Sequence, residues 1–477
     1  MQKSGKGGLQ AALSDFLHVG MLLRGNFIWY NNKINCNESG GWMKKAAFYT
    51  LGCKVNQYET EALTGIFEGA GYEVVEFDDW ADVYVINTCT VTNLSDRKSR
   101  QMIRRAKSKN EDAIVAVVGC YAQTAPDEVI NIPGVNIVIG TKERGKILDY
   151  INEVEEGQDK ISAVDSIMST RSFEELNVDN YKERTRAYLK IQEGCSQFCA
   201  YCIIPYARGP VRSRLPGDVT GEVERLAGKG FKEIVLTGIH VASYGKDLKT
   251  TSLVDIIRRI HDIDGIERIR LGSVEPTTIT EEFIQLAKEA PKLCPHYHLS
   301  LQSGCDETLK RMNRKYDTAK YREVVDLLRE NIKDVALTTD VMVGFPGETE
   351  EEFGRTYEFL KEIGFAKMHI FKYSPRKGTP AAQFPNQVSP EVKEERSKRL
   401  IALSDKSMLD YNKAYAGRTM PVLFEQEVKN GDGFIEGLTA NYIRVRCKGD
   451  YNYKGEILEA KLEEIEEDYM LGRIMEA

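Results

Sequence analysis

The sequence predicts an α/β protein in three parts: an N-terminal parallel α/β sheet, a central six-stranded (β/α) partial barrel and a small C-terminal β-barrel. Short apolar segments alternate with helical segments from Lys44 to about residue 412, which is the rhythm of βα units. The last 63 residues, 415–477, instead contain short apolar segments separated by turn residues. A chain of 477 residues has room for about three such domains.

Composition excludes several classes of protein. With 42% hydrophobic and 29% charged residues, the chain is neither collagen-like, wholly disordered nor a disulfide scaffold. The strongest apolar run, residues 113–118, is far shorter than the about 20 residues of a spanning helix, so we expect no membrane anchor and a cytoplasmic location. Ten cysteines in such a chain indicate metal or redox chemistry rather than disulfides.

Residues 1–42 form a leader with no clear helical or strand period. We expect this leader to be disordered or not translated, with Met43 as the true start, and give Cys36 no role.

The first predicted domain, residues 44–150, places a cysteine after each of three strands. The predicted strands are 46–51, 82–87, 113–118 and 135–139, and the predicted helices are 57–70 and 93–109. Cys53, Cys89 and Cys120 follow the first three strands. Since the carboxyl ends of parallel strands share one edge, these thiols can converge on one iron–sulfur cluster. The alternative is that each is a small buried hydrophobic residue.

Helix 93–109 is basic in an acidic chain of net charge −7. Any contact with nucleic acid must therefore be a local patch, and this helix is the candidate for holding phosphates. The alternative is an ordinary solvated face. Its cations, set against Asp96 alone, are Arg97, Lys98, Arg100, Arg104, Arg105, Lys107 and Lys109.

The second predicted domain, residues 181–412, follows a polar connecting stretch over about 140–185 and carries the most specific motif. Cys195, Cys199 and Cys202 follow a predicted strand at 188–192 with the spacing C-x3-C-x2-C. Three thiolates on a four-iron cluster leave one iron free to bind a small molecule. Zinc is the alternative, but structural zinc takes four ligands and no nearby His or Cys completes this set.

Five more strands and five helices follow this loop. The strands are predicted at 233–236, 268–271, 296–301, 337–343 and 368–373, and the helices at 219–229, 253–263, 281–290, 320–330 and 350–363. Sites in parallel barrels lie at the carboxyl ends of the strands. Gln302, after the fourth strand, and Asp340, a polar residue inside the fifth, are therefore candidate cofactor contacts.

The third predicted domain, residues 415–477, has predicted strands at 420–425, 433–437, 442–445 and 456–465. Its eight basic and thirteen acidic residues disfavour a general role in tracking phosphates, although Arg444 or Arg446 can still contact RNA. Cys294, Cys305 and Cys447 fit no ligand spacing and are predicted to be structural.

The cysteine loop after the first strand of a six-strand repeat resembles that of the radical S-adenosylmethionine enzymes. The resemblance implies that Cys195, Cys199 and Cys202 hold a [4Fe-4S] cluster, that S-adenosylmethionine binds its open iron, and that Tyr201 lies near the adenine of that cofactor. Many members carry a Gly-Gly-Glu-like stretch after the second strand. This chain has Thr237, Gly238, Ile239 and His240 there, and Gly238 is the candidate cofactor contact.

The three-part order resembles the methylthiotransferase family, in which a three-cysteine domain precedes a radical S-adenosylmethionine barrel and a TRAM β-barrel. The segments 50–59 (TLGCKVNQYE) and 87–92 (NTCTVT) resemble the branch that acts on N6-threonylcarbamoyladenosine in tRNA, whereas the segment 195–214 is shared across the family. Sister branches modify isopentenyladenosine in tRNA or an aspartate of a ribosomal protein.

The resemblance implies two [4Fe-4S] clusters, the first held by Cys53, Cys89 and Cys120. One S-adenosylmethionine methylates a sulfur at that cluster, and a second is cleaved to a radical that activates C2 of the modified adenine next to the anticodon. The expected partners are the tRNA anticodon stem-loop, a low-potential electron donor and a sulfur source. A non-catalytic iron–sulfur RNA-binding or sensor protein is the alternative from another class.

Overall fold

The computed structural model describes residues 43–176, 185–428 and 433–475. Lys44–Ala477 form one compact unit. The predicted leader, residues 1–42 with Cys36, lies outside the described residues. The domain boundaries at 44–150, 181–412 and 415–477 stay a prediction.

The N-terminal part is a parallel sheet with helices on both faces. Its strands are β1 (Lys45–Thr50), β2 (Glu73–Val75), β3 (Val83–Thr88), β4 (Ile114–Gly119), β5 (Ile137–Ile139) and β6 (Ile161–Ala163), and its helices are α1 (Lys54–Gly69), α2 (Asn93–Lys109), α3 (Cys120–Thr124), α4 (Pro126–Ile130) and α5 (Ile147–Glu155). The strand order is β2-β1-β3-β4-β5-β6. Apolar residues of α2 pack into one core, and those of α1 and α5 pack into another. Such two-sided packing explains why β3 is buried along its whole length.

The central part is built from two four-stranded sheets. Its strands are β7 (Arg186–Glu193), β8 (Arg212–Ser213), β9 (Glu233–Gly238), β10 (Arg268–Leu271), β11 (Ser273–Val274), β12 (His296–Leu299), β13 (Ala336–Val343) and β14 (Lys367–Lys372). Its helices are α6 (Ile204–Arg208), α7 (Pro216–Gly228), α8 (Leu253–His261), α9 (Glu281–Glu289), α10 (Asp306–Arg311), α11 (Thr318–Asn331), α12 (Glu350–Ile363) and α13 (Pro390–Lys413).

These two sheets have the orders β10-β9-β7-β8 and β11-β12-β13-β14. A parallel bridge between Ile269 and Leu293 lies where they meet, and one apolar core contains residues of both sheets. All the paired strands are parallel except β8, which runs antiparallel to β7. The six predicted strands therefore form the expected partial barrel.

The C-terminal part is a closed five-stranded β-barrel. Its strands are β15 (Thr419–Glu427), β16 (Phe434–Thr439), β17 (Arg444–Lys448), β18 (Ile457–Ile465) and β19 (Met470–Ile474), in the order β15-β16-β17-β19-β18. The α/β fold class with this small barrel at the end is thereby confirmed.

Several elements were not predicted, among them the short strand β2 and the fifth barrel strand β19, and two longer segments also differ from the prediction. The stretch 140–185 is not only a connection, because α5 and the sixth sheet strand β6 lie within it. The exposed side of α5 carries acidic residues, so the composition of this stretch is polar although the opposite side of the helix is apolar. The sequence also gives no clear signal for α13, a helix of 24 residues whose buried positions include polar Arg396, Ser397, Ser404 and Asn412.

None of the helices in the described ranges combines the length and the apolar character needed to cross a bilayer.

Candidate active site

The first cysteine trio lies at one edge of the N-terminal sheet. Cys53 directly precedes α1, Cys89 directly follows β3, and Cys120 is the first residue of α3, immediately after β4. Strands β1, β3 and β4 are adjacent and parallel, so their carboxyl ends bring the three cysteines to the same edge. Cys53 is exposed, whereas Cys89 and Cys120 are buried.

Two asparagines and a glycine fix the loops that carry this trio. The Asn56 amide donates to the carbonyls of Leu51 at 2.9 Å and Thr88 at 3.0 Å, and the Asn87 amide donates to the carbonyl of Asn56 at 3.0 Å. Gly119 has φ +95°, and a Cβ there would lie 2.5 Å from Asn87 Oδ1. Only glycine therefore fits immediately before the third cysteine.

A buried arginine from the central barrel reaches this trio. Arg208, the last residue of α6, donates from Nε to the Cys120 sulfur at 3.1 Å. Burial raises the pKa of Cys120 to about 12, and the charge of Arg208 opposes that rise. The guanidinium thus favours the thiolate form, which is the form that binds iron.

Arg208 also belongs to a buried ionic network between the two parts. It lies 2.5 Å from an oxygen of Glu59 on α1 and 2.7 Å from an oxygen of Glu193 on β7. Arg144 lies 2.5 Å from Glu59, and Lys190 lies 2.8 Å from Glu193. The ion pairs of this network join three cations, Arg144, Lys190 and Arg208, to three carboxylates, Glu59, Glu174 and Glu193. Among these cations, Arg208 is the one that contacts Cys120.

The second trio lies on a single loop after β7. Cys199 is buried, and Cys195 and Cys202 are partly buried. Gly194 has φ +73°, and a Cβ there would lie 1.9 Å from the carbonyl oxygen of Pro210. As in the first trio, a glycine is required immediately before a cysteine. Burial raises the pKa of Cys195 to about 11 and that of Cys202 to about 12.

A second buried arginine contacts this loop. Arg314 donates to the Cys199 sulfur at 3.2 Å and to the Tyr316 hydroxyl at 2.7 Å, and lies 2.9 Å from a carboxylate oxygen of Glu275. The other oxygen of Glu275 lies 3.1 Å from Nε2 of His240. His240 is therefore held against a carboxylate beside the loop.

The donor sets of both trios fit clusters better than single ions. Each trio offers three sulfurs, one of which already accepts a hydrogen bond from a buried arginine. In the part of the chain that the structure describes, no group of three or more His, Cys, Asp or Glu side chains is arranged to hold a single metal ion. The thiolates of a [4Fe-4S] cluster bind different irons and lie further apart than the ligands of one zinc ion.

A cavity of about 660 Å³ lies where the three parts meet. Its lining includes Cys53 from the N-terminal sheet, Gly238 and Asp340 from barrel strands, Met408 of α13 and Tyr442 from the C-terminal barrel. This volume is in the range of small-molecule pockets. One surface thus combines a cysteine of the first trio with the interior of the partial barrel.

Polar side chains on β12 and β13 face this cavity. His298 Nε2 lies 3.2 Å from Asp340 Oδ2, and its Nδ1 lies 3.0 Å from the Thr338 hydroxyl. The same hydroxyl lies 3.2 Å from Nε2 of His296, whose ring stacks on Tyr442 with centroids 4.4 Å apart. Burial lowers the pKa of His296 well below its usual range, which keeps this imidazole neutral at pH 7.

The remaining predicted cofactor contacts lie outside the cavity lining. Tyr201, inside the second cysteine loop, packs edge-on against Phe345. Gln302 has φ +74° and forms an isolated parallel β-bridge with Val341 of β13. Its N–H donates to the Asp340 carbonyl at 2.8 Å. The structure therefore brings Cys53, Gly238 and Asp340 to one surface, and leaves Tyr201 and Gln302 off it.

Sequence analysis missed several residues of this region. Lys54 and Tyr442 line the cavity, and Arg208 and Glu59 join the two cysteine sites. Lys54, Glu59 and Arg208 lie within the cysteine-bearing segments 50–59 and 195–214. Their position close to those cysteines in the sequence could have marked them as candidate site residues. Tyr442 had no such signal, because only tertiary contacts bring β16 and β17 to the barrel.

Comparisons with known proteins agree with this geometry. The Radical SAM superfamily matches residues 189–360, and the family described as "Uncharacterized protein family UPF0004" matches residues 45–140. The chain is 47% identical over 423 residues to the threonylcarbamoyladenosine tRNA methylthiotransferase MtaB of Bacillus subtilis, covering 88% of this chain and 94% of that protein. It is 38% identical over 441 residues to the tRNA-2-methylthio-N(6)-dimethylallyladenosine synthase of Clostridium tetani, covering 91% and 97%.

Solved structures show a shared fold. The radical S-adenosylmethionine methyltransferase TsrM from Kitasatospora setae, with cobalamin and a [4Fe-4S] cluster bound, superposes with a TM-score of 0.53 at 18% identity. The superposition covers 71% of this chain and 77% of that one.

Proposed function

The chain belongs to the tRNA methylthiotransferase family of radical S-adenosylmethionine enzymes, and from that premise we propose that it methylthiolates C2 of N6-threonylcarbamoyladenosine next to the tRNA anticodon. The observation that carries the proposal is the cavity shared by the three parts of the chain. Its lining includes Cys53 of the N-terminal sheet, Asp340 of the partial barrel and Tyr442 of the C-terminal barrel. A flipped base entering this cavity would meet Cys53 of the first trio together with Gly238 and Asp340, two of the proposed contacts of S-adenosylmethionine.

The two trios would hold one [4Fe-4S] cluster each. Cys53, Cys89 and Cys120 would bind the first, and Cys195, Cys199 and Cys202 the second. S-adenosylmethionine would bind beside the second trio, with Tyr201, Gly238, Gln302 and Asp340 as its proposed contacts. When bound, these groups supply the one-electron chemistry and the methylthio sulfur, which side-chain acids and bases cannot provide at an aromatic C–H bond.

The protein's own residues orient and protect this chemistry. Arg208 and Arg314 each donate a hydrogen bond to one ligand sulfur, so they stabilise thiolate charge in buried surroundings. Asn56 ties the Cys53 loop to the end of β3. The walls of the cavity would shield a bound base from water.

Helix α2 supports RNA as the substrate. Arg97, Lys98 and Arg104 are exposed and form no ion pair with a described residue. Arg376 of the barrel binds Asn93 and Asp96 at 2.6 Å each, so α2 starts beside the barrel. The remaining four cations bind acidic side chains or backbone carbonyls: Arg100, Arg105, Lys107 and Lys109. Three free cations on one helix suit contacts with phosphates.

The threonylcarbamoyladenosine branch is favoured over its alternatives by sequence identity. The chain is 47% identical to the Bacillus relative named for that base and 38% identical to the Clostridium relative named for dimethylallyladenosine. An aspartate of a ribosomal protein is a third substrate in the wider family, and the cations of α2 favour RNA over it. A sensor without catalysis is excluded if the reduced protein forms 5′-deoxyadenosine.

The test compares tRNA nucleosides from cells with and without the gene. We expect 2-methylthio-N6-threonylcarbamoyladenosine to disappear without it, while its precursor accumulates. An unchanged threonylcarbamoyladenosine profile, or loss of the dimethylallyl product instead, contradicts the proposal. In vitro, the anaerobically reconstituted protein needs a low-potential electron donor and a sulfur source as partners, and a tRNA anticodon stem-loop as substrate.

A further inference from the structure

Lys54 places an ammonium group in the cavity without a carboxylate partner. It is the first residue of α1, directly after Cys53, and it is half-buried. Its Nζ lies 5.7 Å from the centroid of the Tyr188 ring, which also lines the cavity. No carboxylate in the described ranges lies within 4.0 Å of it.

The surroundings of Lys54 add positive charge. Arg186 and Arg270 lie over the Tyr442 ring at 5.8 and 4.8 Å. Arg186 binds Glu425 and Arg270 binds Glu233, each at 2.6 Å, so two carboxylates neutralise these two arginines. No carboxylate of the described residues neutralises Lys54 in the same way.

The phenol of Tyr442 reports this excess of positive charge. Burial raises its pKa, yet the charges of Arg186, Lys54 and Arg270 together outweigh burial, and the net shift is downward. An anion entering the cavity would therefore be attracted to this side of it.

We infer that Lys54 binds the carboxylate of the threonylcarbamoyl group and so selects this base; the inference rests on the function proposed above. A half-buried ammonium without a partner is unfavourable, and a ligand carboxylate would remove that penalty. Of threonylcarbamoyladenosine and isopentenyladenosine, only the first carries a carboxylate, since the isopentenyl group is apolar. Because Lys54 follows Cys53 directly, a base held with its C2 near Cys53 keeps its side chain within reach of the ammonium group.

The test measures binding rather than turnover. Two anticodon stem-loop RNAs are compared on the anaerobically reconstituted protein, one carrying N6-threonylcarbamoyladenosine and the other the same base with its carboxylate replaced by a carboxamide. We expect the wild-type protein to bind the acid about 10- to 100-fold more tightly than the amide, the range of a charge-assisted hydrogen bond. Lys54→Met should bind both RNAs equally, and Lys54→Arg should keep the preference.

Lys292→Met is the matched control, because Lys292 is likewise a half-buried lysine but does not line the cavity. It should keep the preference for the acid. Since acid and amide are measured on the same protein sample, a loss of cluster or partial misfolding changes both affinities alike.

Two outcomes overturn the inference. One is a preference that survives Lys54→Met, and the other is a wild-type protein that binds acid and amide equally, as it would if the ammonium bound an RNA phosphate or the carboxylate of S-adenosylmethionine. If that wild-type protein still forms the 2-methylthio product, the proposed function stands and only the role of Lys54 is rejected. Absence of the product rejects the proposed function itself.

Discussion

The two cysteine sites are built in opposite ways. The second trio lies within eight residues of one loop, so its geometry is largely local. The first trio is spread over 68 residues, from Cys53 to Cys120, and exists only when β1, β3 and β4 pair side by side. A local site needs its loop, whereas a dispersed site needs a folded sheet.

The sites also share two features. A glycine with positive φ precedes a cysteine in each, and a buried arginine donates to one sulfur in each. The arginine of the first site comes from α6, six residues after Cys202. The dispersed site therefore depends on the segment that carries the local one, and Arg208 with Glu193 forms the link.

The largest expected effect is that replacing a cysteine of one site or of the other abolishes different reaction products. Cys195→Ala should abolish both 5′-deoxyadenosine formation and methylthio transfer, because the second cluster is the proposed electron source. Cys89→Ala should abolish methylthio transfer but keep 5′-deoxyadenosine formation, because the second site is local and stays intact. Iron analysis after anaerobic reconstitution should find about eight irons per wild-type chain and about four in either variant.

Cys447→Ala is the matched control, since this cysteine is buried in the C-terminal barrel away from both trios. It should keep about eight irons. If Cys89→Ala also loses 5′-deoxyadenosine formation, the second site is not independent and the comparison fails.

The contrast between the sites also explains how much the sequence could predict. The C-x3-C-x2-C spacing is a short-range pattern, so Cys195, Cys199 and Cys202 are visible without any structure. Cys53, Cys89 and Cys120 are visible only because each follows a predicted strand, which puts them at one edge once the strands are assumed parallel. All four strands predicted for this domain were placed within two residues of their observed bounds.

Long-range partners were not predictable in this way. Arg208 lies in a segment rich in signature residues, but its contacts to residues 59 and 120 follow from the packing of α6 against the N-terminal sheet. Tyr442 reaches the cavity through a loop of the C-terminal barrel. Helix α13 was missed because arginine and serine occupy several of its buried positions, which removes the apolar period.

Replacing Arg208 should destabilise the protein more than replacing Arg314. Arg208→Met removes one cation from each of two buried carboxylates, Glu59 and Glu193, which keep only Arg144 and Lys190 as partners, and we expect it to lower the free energy of unfolding by about 3 kcal/mol. Arg314→Met removes a partner from one carboxylate, Glu275, and should lower the free energy of unfolding less. Urea denaturation of the two metal-free variants measures the free energy of unfolding of each.

Arg208→Lys serves as the control for charge. It keeps the positive charge but loses the two-pronged contact with Glu59, so its stability should fall between those of the wild type and Arg208→Met. If Arg208→Met and Arg314→Met lowered the free energy of unfolding equally, the contacts of Arg208 between the two sites would be no stronger than the contacts of Arg314 within one site.

The smallest expected effect is a difference in acid sensitivity between Glu59 and Glu275. Burial alone would raise the pKa of Glu59, but Arg144, Arg208 and Lys190 outweigh it and lower the pKa to about 2. A carboxyl with a lower pKa in the folded than in the unfolded protein stabilises the fold above about pH 4.5, and that contribution is lost as the pH falls toward about 2.

The measurement is the free energy of unfolding of wild type and Glu59→Gln between about pH 7 and about pH 3. The gap between the two proteins should be widest near neutral pH and should narrow as Glu59 of the wild type becomes protonated. For Glu275, burial is likewise outweighed, by His240 and Arg314, and the net shift of the pKa is downward. Glu275→Gln should show a narrower gap, because Glu275 binds one arginine and one histidine whereas Glu59 contacts Arg144, Lys190 and Arg208. A gap for Glu59→Gln that does not change with pH would mean that the pKa of the Glu59 carboxyl is the same in the folded and the unfolded protein, so the cations around it would give its charge no net stabilisation.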